Sequence, residues 1–121
     1  MKRDMDLVRG ILLEVEKAQP GRAWDLRRAI ADGAFPGHDE TTVLSHAFLM
    51  REAGLLEIRT GSNGSGEWKV AWLGHDFIDS ARNDTVWERA KGAIREKGFG
   101  LSIELLKGVL SKLAKDALGL P

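Results

Sequence analysis

The sequence contains no cysteine, which excludes disulfides and thiolate metal sites and suits a reducing cytoplasm. No apolar run approaches the roughly 18 residues that a membrane helix needs. The opening "MKRDMDLVRG" mixes charges and lacks the apolar stretch of a signal peptide. The expectation is a cytoplasmic protein with no membrane partner. Net charge is also missing: 18 basic side chains balance 18 acidic ones, so the molecule as a whole exerts no general pull on nucleic acid or membrane. Enzyme signatures are absent as well, with no GxSxG, no Walker-type loop and no GxGxxG ahead of a helix. The three histidines show no HxH or HxxxH spacing, so neither a metal nor another cofactor is expected.

What is present describes a globular domain. The chain has 121 residues, 43% apolar and 30% charged, enough for one modest core. Met5, Val8, Ile11, Leu12 and Val15 keep the spacing of one helical face, with Asp4 or Asp6 as cap and "QPG" at 19–21 as stop. "AWDLRRAIADG" predicts a short second helix ending near Gly33, with Trp24, Leu26 or Arg27, and Ile30 competing for its inner face. "FPGHD" is a turn, Asp39 a cap, and "ETTVLSHAFLMREA" a third helix stopped by Gly54. On that helix His46 falls among Val43, Ala47, Leu49, Met50 and Ala53, so it reads as a packed, hydrogen-bonded imidazole rather than a ligand.

Leu56 and Ile58 alternate with charged residues, as do Trp68, Val70 and Trp72 with Lys69 and Ala71. These are two half-buried strands joined by "GSNGSG". "GHDFIDSAR" predicts a further helix. "TVWERAKGAIREKG" predicts another, with Thr85 and Glu88 at capping-box spacing. Ser102 caps a last helix to about Leu118. The expected fold is mainly α with a small β-hairpin: a winged helix-turn-helix in one domain, residues 1–73 forming its core and wing and 74–121 its added C-terminal helices.

The usual partner of that fold is double-stranded DNA, read by the outer face of the third helix. With Val43, His46, Ala47 and Met50 inward, that face carries Thr41, Leu44, Ser45, Phe48, Arg51 and Glu52. Thr41, Ser45 and Arg51 suit base or phosphate contact, flanked by Arg27 and Arg28 on the second helix, together with Arg22, and by Arg59 and Lys69 at the base of the wing. Leu44 and Phe48 do not suit DNA. Residues 36–84 carry four basic side chains against eight acidic ones, a net charge of −4, which weakens the phosphate attraction that supplies most non-specific affinity. Two readings follow: a small DNA-binding regulator, ahead by a narrow margin on the fold's usual role, and a protein-interaction or dimerisation module that covers Leu44 and Phe48. The last helix spreads its apolar residues, among them Leu105 and Val109, over an arc of about 180° where one core face needs about 100°. Either that helix is wedged between two layers of its own domain or it contributes to a dimer seam, and the expectation leans to a homodimer through it. Neither reading is enzymatic.

"VLSHAFLMREAGLLE" resembles the recognition helix and first wing strand of winged-helix regulators, especially small bacterial repressors of the metal-sensing type. The wider chain resembles a small bacterial and phage-associated family, domain of unknown function 2513. The resemblance rests on "MKRDMDLVRGILLEVE", on "SH" with "EAGL", and on "WLGHDFIDSARNDTVWERAKGAIREKG" followed by an aliphatic helix. It implies a winged-helix-like fold and no catalytic residues. Where that family tends to place a threonine before its "W-x-G-H" step, this chain has Ala71, which leaves the next helix without a hydroxyl cap.

Overall fold

The computed structural model describes residues 2–18, 24–60 and 66–121. The "QPG" stop, Arg22 and the wing-tip residues 61–65 lie outside them. Among the described residues the order is α1 (Met5–Val15), α2 (Leu26–Ala31), α3 (Glu40–Glu52), β1 (Leu56–Thr60), β2 (Gly66–Val70), α4 (Trp72–Ala81), α5 (Asp84–Glu96) and α6 (Ile103–Ala117). The chain is thus mainly helical with one antiparallel hairpin, as the periodicity predicts. It divides into two compact units, Met1–His75 and Asp76–Pro121, the division falling inside α4.

Short polar side chains start most of the helices by accepting hydrogen bonds from otherwise orphaned amides. Asp4 accepts from Leu7 at 3.1 Å, Asp25 from Arg27 at 3.0 Å and Asp39 from Thr42 at 2.7 Å. The Thr42 hydroxyl, with its amide second, holds the Asp39 carboxyl below the usual aspartate range. Asn83 accepts from Val86 at 3.0 Å and Ser102 from Leu105 at 3.2 Å. Asn83, not Thr85, is therefore the cap of α5: the helix starts at Asp84 and Thr85 is an exposed residue of its first turn. At the other end of α3, Gly54 adopts φ 81°, its amide reaches Arg51 O at 3.1 Å and the Leu55 amide reaches Met50 O at 2.9 Å. Glycine is needed there because a Cβ is strained at positive φ.

In the first unit α1 packs against α3 and β2. Ile11, Leu12 and Val15 are almost wholly buried, as are Val43, Ala47 and Met50 of α3 and Leu26 of α2. His46 sits among them, 2% exposed. Its Nδ1 lies 2.8 Å from Thr42 O, and its Nε2 accepts from the Asp4 amide at 2.9 Å. A carbonyl on one nitrogen and an N–H on the other leave one arrangement: Nδ1 carries the proton and Nε2 is bare. The bond to the Asp4 amide also ties the roll of α3 to the start of α1. Leu49 and Ala53, grouped by spacing with the inner face, are turned outward, Leu49 being 41% exposed.

The hairpin pairs Leu56 with Val70, Ile58 with Trp68 and Glu57 with Lys69. Trp24 adds a backbone bond on its far side, accepting from the Trp68 amide at 3.2 Å. The alternation Trp68, Val70, Trp72 does not continue as strand. Trp72 opens α4 and is 80% exposed. The strand stops because the Ala71 amide bonds to Leu55 O at 3.0 Å and the first turn of α4 then presses on that carbonyl. A Cβ on Gly74 would stand 2.1 Å from Leu55 O, so only glycine permits the approach.

In the second unit, Phe77 meets Trp87 edge to face, with ring centroids 6.0 Å apart. α6 packs on α5 through Leu106 and Leu110, both buried. Lys91 is buried too, its Nζ 5.8 Å from the Trp87 ring and 3.0 Å from Glu88 Oε1.

Replacing His46→Ala orphans the Asp4 amide and opens a cavity, which should lower unfolding free energy by about 2–4 kcal/mol in urea titration. A loss under about 1 kcal/mol would show that the bond pair contributes little. Ala71 occupies the cap position of α4, its carbonyl accepting from His75 at 3.0 Å. Ala71→Ser should therefore raise the melting temperature, by the equivalent of about 0.5–2 kcal/mol. An unchanged or lower melting temperature would mean that the hydroxyl cannot reach the first-turn amides.

Candidate binding face

The described residues nominated for contact with DNA or a protein partner lie on α2, α3 and the hairpin of the first unit, and those nominated for a dimer seam, Leu105 and Val109, lie on α6 of the second. On α3, Thr41, Phe48, Arg51 and Glu52 are exposed, while Leu44 and Ser45 are half-buried. Phe48 is 44% exposed and packs edge to face on Trp68, with centroids 5.4 Å apart. The hairpin therefore covers one side of this ring and solvent the other.

The cations tell more by their neighbours than by their number. Arg27 Nη1 lies 3.1 Å from Glu40 Oε1, tying α2 to the start of α3. Arg28 lies 4.0 Å from Asp32 within its own helix. Lys69 meets Glu57 across the hairpin at 3.1 Å. Arg59 stands opposite Glu67 in the strand register. The outer face of the hairpin is thus a quartet of two acids and two bases, bordering a shallow groove of about 470 Å³. Such exposed pairs stabilise by only ~0–1 kcal/mol each, and a carboxylate beside a cation lowers the net charge that the surface shows to a polyanion. Among the described residues, Arg51 alone of the nominated cations faces no carboxylate, either in an ion pair or in strand register.

Arg51 borders a second groove, of about 430 Å³, with Gly54, Leu56, Ile58, Trp72 and Leu73. Trp72 and Leu73 leave 80% and 45% of their surface in water. The sequence reading missed both, because it placed Trp72 on the inner face of a strand. It also missed the Trp24 bond to β2, which no side-chain pattern announces. The ion pair of Arg27 with Glu40 joins residues 13 apart and likewise has no local signature.

On α6, Leu105 is 42% exposed and Val109 half-buried, while Ala114 and Ala117 lie in solvent. The wide apolar arc is therefore only partly used within the chain. Among the described residues no group of three or more His, Asp or Glu side chains converges in a way that could hold a metal ion. No helix among them is long and apolar enough to cross a membrane.

Comparison with known proteins adds kinship rather than chemistry. An uncharacterized protein of Haemophilus influenzae is 36% identical over 122 residues, covering 98% of this chain and 99% of that protein. No solved structure matches. The family model of the hypothetical proteins DUF2513 matches residues 2–100, from ahead of α1 to past the end of α5. The chain belongs to the DUF2513 family.

Proposed function

We propose that residues 1–75 are a non-enzymatic winged-helix recognition module whose α3 and hairpin face takes a protein partner rather than gripping duplex DNA. The winged-helix reading is supported by the order of three helices followed by an antiparallel hairpin, with Trp24 adding a strand-like bond beside β2. The choice of partner rests on one observation. Arg27, Arg28, Arg59 and Lys69, the cations placed to hold phosphates, each stand opposite a carboxylate. A protein that neutralises several phosphates needs uncompensated charge, because release of counterions provides the affinity. Here a phosphate at Arg27 or Lys69 would first displace the carboxylate paired with it, and at Arg59 it would meet Glu67 across the register. On α3, beside the pair of Arg27 with Glu40, Phe48 is half-exposed, and an exposed aromatic side chain bordered by a paired charge suits a protein contact.

A second reading, sequence-specific DNA binding, is favoured by Arg51, which makes no ion pair among the described residues, and by exposed Thr41 on the same helix.

Titration of the full chain against a random duplex at about 50 mM salt separates the two. The protein-partner reading expects no saturable change in anisotropy. Binding that falls steeply as salt rises, and that is lost in Arg51→Ala with Arg59→Ala, would establish the DNA reading instead.

A further inference from the structure

The open edge of β1 is self-complementary, and we infer that two copies of this chain pair there, strand to strand, about a two-fold axis at Ile58. This surface lies beside the α3 face and does not depend on which partner that face takes.

The backbone directions follow from two hydrogen bonds. In an antiparallel pair, each residue turns its N–H and C=O to the same edge, and successive residues alternate. Ala71 donates to Leu55, which makes Glu57 with Lys69 and Arg59 with Glu67 the pairs that exchange bonds. Trp68 donates outward to Trp24, consistent with that phase. Ile58, opposite Trp68, therefore turns its N–H and C=O away from β2. Among the described residues no backbone group meets them. Grooves of about 430 and 470 Å³ border β1 on its two faces, and Ile58 lines both. An unpaired edge of this kind is a template for another strand.

The charges select the occupant. With Ile58 of one copy opposite Ile58 of the other, the two residues exchange both of their backbone bonds. Glu57 of each copy then lies directly opposite Arg59 of the second copy, in the closer, non-hydrogen-bonded position. Shifting the register by two residues either way sets Glu57 against Glu57 or Arg59 against Arg59, and like charges directly opposite are unfavourable. Only the central register is complementary. In that register Glu67, Arg59, Glu57 and Lys69 form rows across four strands that alternate in sign, extending the pair of Lys69 with Glu57 already made within one copy. On the opposite face the two Ile58 side chains meet beside the groove lined by Trp72 and Leu73. Five-residue strands give an interface below the standard size of about 800 Å² per partner, so the dimer is weak and concentration-dependent.

Sedimentation of the full chain from roughly 10 μM to 1 mM tests this. The wild type should self-associate reversibly to a dimer. Glu57→Arg or Arg59→Glu alone should each weaken association by roughly tenfold, through two like-charge contacts per dimer. The fourfold exchange, Glu57→Arg and Arg59→Glu with Glu67→Lys and Lys69→Glu, keeps every cross-strand pair opposite in sign and should restore it, with circular dichroism confirming the same helix content in all three. Slower amide hydrogen exchange at Ile58 as concentration rises would support the same pairing. A chain that stays monomeric across the range would overturn it. So would a dimer indifferent to Arg59→Glu, one abolished by Leu105→Glu instead, or one that the fourfold exchange fails to restore.

Discussion

His46 fixes what this protein can present. Its two ring nitrogens are bound, one to Thr42 O within α3 and the other to the Asp4 amide at the start of α1. A helix packed only by aliphatic contacts can roll by several degrees with little loss, since such contacts are not directional. A buried imidazole with both nitrogens engaged cannot, because a roll would leave a polar group unpaired. The pin therefore holds Val43, Ala47 and Met50 inward and, by the geometry of the helix, Thr41, Phe48 and Glu52 outward. The Asp4 side chain caps α1 while its amide receives His46, so the start of one helix and the roll of another are decided at one residue.

From that roll the character of the exposed face follows. Phe48 is carried against the edge of Trp68, and Arg51 against the groove floored by Ile58. The hairpin turns Glu57, Arg59, Glu67 and Lys69 to its other face, where strand register sets each base opposite an acid. Neutralisation is thus a property of the register, not of side-chain choice at one site. The register leaves the outer face of the hairpin with acids and bases side by side in equal number.

How much of this was legible beforehand depended on range. The span of α3 could be read because Asp39 and Gly54 act within one turn of themselves. His46 could be placed inside because its apolar neighbours recur at helical spacing. Its partner on α1 could not, being 42 residues away. Trp72 was misplaced because alternation from Trp68 through Val70 extends naturally to it. The contact that ends the strand, the Leu55 carbonyl against Gly74, is invisible to any local pattern. Asn83 and Thr85 are both good caps, and only the start of α5 at Asp84 decides between them. The basic residues Arg27, Arg59 and Lys69 looked available on α2 and the hairpin because Glu40, Glu67 and Glu57 stand across a turn or a strand from them.

The tautomer of His46 tests the central claim most directly. Long-range nitrogen–proton correlation spectra should show Nδ1 protonated and Nε2 bare, with a coupling across the hydrogen bond from Nε2 to the Asp4 amide nitrogen. A ring protonated at Nε2, or one with no coupling to Asp4, would contradict the account, because α3 would then be free of the bond that sets its outward face.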